Sequence, residues 1–333
     1  PEFQRAAARY GLFYPPEPAS AQFSSLGGNV AESAGGLTTV KYGLTKHYTA
    51  GLVFVTADGS VVKTGVYTDS DAPCDVGSLM LGSEGMLGIV TEIALRLVPL
   101  PREKRTLLAF YRTLVDTVRA SNAVRASGAE PSVLEFMDKS CIDTVREYAG
   151  VKVPDGTGAL LLVEVDGSAE DVDEAARVIE KTLAALDPVE IRSASGDRER
   201  EALWKLRKST SPAIARIAPL KFNEDICVPI SKIPDICRFV EELGQRRDVK
   251  VVSFGHSGDG NLHINFMTSH ERPEEVARVK AAVEALSGEH GIGMMKRPYL
   301  GIALDPATIA FEKTVKRALD PENILNPGKM FPE

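Results

Sequence analysis

From residue 102 to residue 268, short apolar runs alternate with single helix-length segments, and this alternation limits the fold more than any other feature. Runs rich in Val, Ile, Leu and Phe at 106–111, 132–137, 159–165, 189–193, 222–228, 249–255 and 262–267 read as strands. Between them, 113–126, 139–149, 170–186, 197–210 and 233–246 read as helices. The segment from Glu170 sets Val172, Ala175, Ala176, Val178, Ile179 and Leu183 on one helical stripe. The order predicts an α+β sandwich, with helices on one face of a sheet.

The flanks differ. Gly27-Gly28 and Gly35-Gly36 lie eight residues apart, and a third glycine-rich stretch spans 81–88 (LGSEGMLG). A helix is predicted over 1–10, with strands over 51–57, 61–64 and 89–97. Asp58-Gly59 is a two-residue hairpin signal between the first two strands. Pro99 and Pro101 mark a boundary. At the other end a helix over 273–289, a glycine turn, a further helix and a tail are expected. The expected organisation is 1–100, 101–270 and 271–333.

Composition removes several function classes. The formal net charge of −7 argues against a general nucleic-acid binder. No run reaches the roughly 18 apolar residues of a membrane helix. Cys74, Cys141, Cys227 and Cys237 are dispersed without a CxxC pair, so a disulfide framework or zinc knuckle is not expected and a reducing, cytoplasmic setting is. There is no initiator Met and no signal-peptide pattern, and the opening inside a helix suggests a chain cut from something longer.

The sharpest motif is 253–266 (SFGHSGDGNLHINF), in which two apolar runs flank a turn-forming centre. Read as a hairpin, it sets His256 opposite His263, with Cβ atoms about 4.5–5.5 Å apart. Two imidazoles at that distance can share a divalent metal. Asn265, two residues beyond His263, lies on the same face. Spacing alone leaves metal binding and a bare tight turn both open. Glu289 and His290 end the 273–289 helix; with the two histidines, Glu289 supplies a third ligand and leaves coordination positions open, the catalytic pattern. His290 would then be a free base nearby. The glycine clusters match neither GxGxxG nor GxxxxGK[ST], which excludes Rossmann and P-loop readings. Arg207, three residues after the single Trp204, could clamp a carboxylate bidentately or lie on a solvated basic face.

Taken together, 14–18 (YPPEP), 26–36 (LGGNVAESAGG), 41–43 (KYG), 82–91 (GSEGMLGIVT), 256–263 (HSGDGNLH), 289–293 (EHGIG), Lys296-Arg297 and 326–329 (NPGK) resemble the FAD-linked oxidases of the vanillyl-alcohol-oxidase type. The branch they resemble contains the glycolate oxidase FAD subunit, D-lactate dehydrogenase and D-2-hydroxyglutarate dehydrogenase. The resemblance implies an α+β fold, the C-terminal part of a PCMH-type FAD-binding domain with an α+β cap domain built on an antiparallel sheet. It implies FAD lined by Leu26, Gly27, Gly28, Asn29, Ser33, Gly35, Gly36, Tyr42, Gly43, Glu84, Gly85, Gly88, Ile89 and Val90, largely through backbone groups, with Asn326 approaching from the tail. It implies a divalent metal, Zn²⁺ before Mn²⁺, on His256, His263 and Glu289, and a 2-hydroxy acid held by Arg207, Asn265 and His290, with His290 as base.

An electron acceptor (a quinone, an electron-transfer flavoprotein or an iron–sulfur subunit) is implied, and a homodimer is allowed. Two departures stand out. Relatives begin with a further FAD-binding subdomain absent from this chain, so the FAD site is expected to be incomplete and the chain N-terminally truncated. Some relatives place a substrate-binding Lys where Asn223 stands, so Lys221 is given no role. A metal-dependent hydrolase on the same His-His-Glu cluster and a non-catalytic subunit remain the alternatives.

Overall fold

The computed structural model describes residues 2–18, 20–68, 75–217, 220–247, 249–268 and 292–331. The chain divides into two units: one holds Pro1–Thr38, Tyr42–Leu100 and Ala285–Glu333, the other Thr39–Lys41 and Pro101–Glu284.

The first unit begins with helix α1 (Glu2–Ala8), strand β1 (Leu12–Phe13) and helix α2 (Leu26–Glu32). The Gly27-Gly28 cluster is inside α2. Ser25 starts that helix by accepting from the Gly28 N–H at 3.0 Å, and Ser33 ends it at φ +46°. The short helix α3 (Thr39–Tyr42) that comes next in the chain belongs, but for Tyr42, to the second unit; the first continues with strands β2 (Thr49–Val55), β3 (Val61–Lys63), β4 (Ile89–Leu95) and β5 (Val98–Pro99). β3, β2 and β4 form an antiparallel sheet in that order, and β1 pairs with β5. The β2–β3 connection has the five residues Thr56 to Ser60, not two: the Gly59 N–H bonds to the Thr56 carbonyl at 3.0 Å and Gly59 sits at φ +83°. That is a tight turn followed by a left-handed residue, and only the second needs glycine. Val30, Leu52, Phe54 and Met80 form the small core.

The second unit supplies β6 (Glu103–Tyr111), α4 (Leu114–Ala126), β7 (Val133–Asp138), α5 (Lys139–Ala149), β8 (Ala159–Gly167), α6 (Ala169–Ala184), β9 (Glu190–Ala194), α7 (Asp197–Lys208), α8 (Thr210–Ile217), β10 (Leu220–Cys227), α9 (Ile233–Arg247), β11 (Lys250–His256) and β12 (Asn261–Thr268). The seven strands pair antiparallel in the order β10-β12-β11-β7-β8-β6-β9. Strand alternation sends Leu107, Leu134, Phe136, Leu161, Leu262 and Ile264 to one face, where they pack with residues of α4, α6 and α9 such as Val124, Ile179 and Val240.

The opposite face carries Glu164, Glu135, His256 and His263. It is covered as well, because Trp204 and Arg207 of α7 reach Glu164 and Glu135. The expectation of helices on one face is therefore corrected. The reason is legible in β8, whose ALLLV run is buried at every position: a strand covered on both sides shows a continuous apolar run rather than alternation.

The 273–289 helix lies outside the described residues. Among those described, Cys141, Cys227 and Cys237 are free, and no helix is long and apolar enough to cross a membrane.

Candidate active site

The β11–β12 hairpin carries the two histidines in a register different from the one expected. His256 pairs with Asn261, and His263 pairs with Phe254. The loop is the four residues Ser257 to Gly260, closed by the Gly260 N–H on the His256 carbonyl at 3.1 Å, so the pairing shifts by two residues. The histidines are diagonal neighbours on one face, and their long rings still meet: Nε2 of His263 lies 3.3 Å from Nε2 of His256.

What stands behind each ring fixes its proton. Nδ1 of His256 is bonded to Oε1 of Glu135, 1% exposed on β7. Burial alone would raise the Glu135 carboxyl, but the His256 and Arg207 charges and hydrogen bonds outweigh it and hold the group below its usual range. An ionised carboxylate only accepts, so Nδ1 of His256 carries a proton toward Glu135, and Nε2 offers a lone pair whenever the ring is neutral. Nδ1 of His263 lies 2.9 Å from Oδ1 of Asp225 on β10, the strand residue paired with it. Burial, with His256 beside it, outweighs Asp225 and lowers the His263 pKa, so this ring is neutral. With both Nδ1 atoms turned toward carboxylates, the two Nε2 atoms face each other across 3.3 Å.

Ligands at about 2.0–2.1 Å from a tetrahedral Zn²⁺ are separated by about 3.3–3.4 Å, so the pair fits one divalent cation. A carboxylate on the far nitrogen of each imidazole is the usual backing of a metal-binding histidine. Among the described residues no group of three His, Cys, Asp or Glu side chains surrounds a common metal position. Glu289 and His290, the expected third ligand and base, lie outside the described residues.

Arg207 is brought to the same face. Its Nε donates to Oε2 of Glu135 at 2.7 Å, and its guanidinium carbon lies 4.7 Å from the centre of the Phe254 ring. Helical spacing puts Trp204 on the same side of α7, where its indole N–H reaches Glu164 at 2.8 Å. Glu164 pairs with Val133, two residues before Glu135, so two carboxylates on one sheet face anchor successive turns of α7. Glu135 takes only Nε, and among the described residues neither Nη group has a hydrogen-bond partner, which leaves both for a second anion. Asn265 is 1% exposed and its Nδ2 has no hydrogen-bond partner among the described residues; the Asn261 amide is equally buried and unpaired. Buried polar atoms are normally satisfied, and here they sit on the histidine strand, as a polar ligand site requires.

Glu135 and Asp225 were not singled out from sequence as site residues. For Glu135 the signal is a lone carboxylate within the otherwise apolar, buried run VLEFM; Asp225, next to Glu224 on a half-exposed strand, carries no comparable signal.

The residues expected to line FAD belong to the first unit. Leu26 and Asn29 line a cavity of about 660 Å³ with Tyr14, Pro16 and Glu17, within the size range of ligand sites. Gly27 and Gly28 lie beside them in α2, and Gly35 is buried just after it. Ser33 Oγ is buried without a partner among the described residues. The end of α2 is stitched to the second glycine stretch by Gly82 N–H to Val30 carbonyl (3.0 Å) and Glu84 N–H to Ala31 carbonyl (2.9 Å). The cavity thus fits a bound flavin in size; the unspent Ser33 hydroxyl lies past the end of α2 and is not one of the residues that line it.

Several glycines have other reasons to be glycine. A Cβ on Gly36 would fall 2.1 Å from the Glu17 carbonyl oxygen, one on Gly43 2.3 Å from His47 Nδ1, and one on Gly88 2.8 Å from the Met80 methyl. The Glu84 carboxylate is spent on the N–H groups of Ile292 (2.6 Å) and Gly293 (2.9 Å), and its carbonyl accepts from Asn326 Nδ2 at 2.6 Å. A Cβ on Gly85 would come within 2.9 Å of that same Nδ2. Tyr42 packs edge-on against Phe13. Val90 packs against the small core, while Ile89 is exposed.

Residues 100–330 match the family of FAD linked oxidases, C-terminal domain, and residues 1–65 match an FAD binding domain. The chain is 39% identical to a glycolate oxidase subunit GlcD of Bacillus subtilis over 98% of its length and 72% of that relative's. It is 34% identical to a D-lactate dehydrogenase of Anaerostipes hadrus over 97% of this chain and 72% of the other. A solved structure of p-cresol methylhydroxylase with substrate bound is similar in fold, with a TM-score of 0.74 and 16% identity, over 97% of this chain and 72% of that one.

Proposed function

Because the chain belongs to the FAD-linked oxidases, we propose that it oxidises a D-2-hydroxy acid of the glycolate, D-lactate or D-2-hydroxyglutarate type to the 2-oxo acid. The observation that carries this reading is the pair of carboxylate-backed imidazoles, Nε2 to Nε2 at 3.3 Å, on one sheet face with a half-spent guanidinium. FAD, when bound, would supply the two-electron oxidising power, as the acceptor of a hydride equivalent from the α-carbon. A divalent cation held by His256 and His263, with Glu289 completing the set, would make the α-hydroxyl more acidic; two imidazoles and a carboxylate suit Zn²⁺, then Mn²⁺.

The remaining work belongs to side chains. Arg207 meets the substrate carboxylate with its two Nη groups while Glu135 holds its Nε, which fixes the plane of the fork. Asn265 offers its unpaired Nδ2–H to a substrate oxygen. His290 takes the hydroxyl proton. The hydroxyl loses a proton, the α-carbon loses a hydride, and a C=O double bond results. Residues 1–100 and 271–333 are assigned to the flavin part and 101–270 to the substrate part. A quinone, an electron-transfer flavoprotein or an iron–sulfur subunit would receive the electrons.

Turnover of D-2-hydroxy acids with an artificial acceptor tests the reading in the FAD-reconstituted protein that carries this chain. Arg207→Lys loses the planar fork and is expected to lower kcat/KM by about 1.5–3 kcal/mol, roughly 10- to 150-fold. An unchanged kcat/KM would remove Arg207 from the site.

A further inference from the structure

We propose that Glu135 is the positioning residue that sets both the metal-facing histidine and the carboxylate-facing arginine, so that one side chain aligns the two halves of substrate recognition. The proposal rests on the reading of His256 and Arg207 given above.

Glu135 is the middle residue of an otherwise apolar stretch of β7, 1% exposed. A lone carboxylate there is costly to bury, and a fold gains as much from a well-packed apolar residue as from a buried ion pair. Stability alone therefore does not call for a charge at this position. What the carboxylate does is divide its oxygens between two helpers from distant parts of the chain. Oε1 accepts from Nδ1 of His256 and Oε2 accepts from Nε of Arg207 at 2.7 Å.

The two bonds are not interchangeable in their consequences. The first keeps the proton on Nδ1 and the lone pair on Nε2. The second uses the one guanidinium N–H that is not needed for a bidentate carboxylate and leaves the outward edge whole. Phe254, two residues before His256 on β11, holds the guanidinium 4.7 Å above its ring, so Arg207 is located by both strands that flank the Glu135–His256 pair.

A glutamine in this place accepts through one oxygen only and presents N–H groups from its other end. With its oxygen on Arg207 it turns N–H groups toward Nδ1 of His256 and would force that ring's proton onto Nε2, where no cation can bind; with its oxygen on His256 it turns N–H groups toward Nε of Arg207 and loses the arginine. Glu135→Gln is thus expected to weaken Zn²⁺ about 10- to 100-fold in chelator competition without substrate, or to raise KM about tenfold or more, with kcat less affected. Glu135→Asp, which keeps the charge on a shorter arm, should reach one partner and lose the other, and serves if the glutamine variant folds poorly. Thr106→Val removes a buried hydrogen bond of 2.7 Å to Glu164 in the same sheet and controls for stability. It should lower Tm while leaving Zn²⁺ affinity and KM unchanged.

If both Glu135 variants resemble Thr106→Val, with Tm lowered and both constants intact, Glu135 is a stability residue and the proposal fails while the functional reading stands. If the wild-type protein binds no Zn²⁺ and oxidises no 2-hydroxy acid, the functional reading fails and takes this proposal with it.

Discussion

His263→Ala is expected to strip the protein of its divalent metal and to cut kcat/KM for D-2-hydroxy acids by about a thousandfold or more. The 3.3 Å separation of the two Nε2 atoms leaves one imidazole insufficient as a site. Loss of Lewis-acid assistance is a change of several kcal/mol in the barrier. Elemental analysis after exhaustive dialysis should find about one ion per wild-type chain and almost none in the variant. His263 is buried beside Asp225, so the variant is expected to melt earlier; metal content should be read on protein shown to be folded at the assay temperature. Full metal content in folded His263→Ala would make the ligand assignment wrong.

The second large effect lies in the first unit. Lys316→Met is expected to destabilise the protein by about 3–5 kcal/mol, the cost of breaking a buried ion pair from one side. The Lys316 ammonium is buried and spends all three of its donors: on the Met86 carbonyl at 2.9 Å, the Leu325 carbonyl at 2.8 Å and the Asp320 carboxylate. Through these bonds helix Pro306–Leu319 holds the glycine stretch around Met86 and the tail immediately before Asn326. Methionine fills much the same volume and leaves Asp320 with an uncompensated charge. Urea melts at neutral pH measure the loss. Because Asn326 in turn bonds to the Glu84 carbonyl, FAD affinity is expected to fall with it. A loss below about 1 kcal/mol would mean the ion pair is solvated.

How much of this could be read from sequence depends on how far each signal reaches along the chain. The 256–263 motif was legible because apolar strands and turn-forming residues are local properties. Its register was not, because loop length is set by Gly260 bonding back to His256 rather than by the motif's symmetry. Arg207 could be suspected from its type and its place after Trp204. Its dependence on Glu135 could not, since the two are 72 residues apart and meet only once β7 lies under α7.

Glu135 had a faint local signal, a single charge within VLEFM, which periodicity alone reads as a solvent-facing position. The register of the seven-stranded sheet converts it into a buried hub. In the first unit, the sequence pattern of Gly27-Gly28 carries no helix signal. The helix over Leu26–Glu32 forms despite two glycines because Ser25 caps it and Val30 packs into the core. Gly36 and Gly88 were read as room for a cofactor, and the neighbouring chain accounts for both.

The most direct test of the account is anaerobic mixing of the FAD-reconstituted protein with glycolate, D-lactate and D-2-hydroxyglutarate, followed by flavin absorbance and assay of the organic acid formed. The account predicts that at least one of these acids bleaches the flavin and yields about one 2-oxo acid per flavin reduced, that the matching L enantiomer of a chiral substrate does not, and that removing the divalent metal abolishes the bleaching. Flavin that stays oxidised with all three acids in metal-replete protein, or bleaching unaffected by complete removal of the metal, would contradict it.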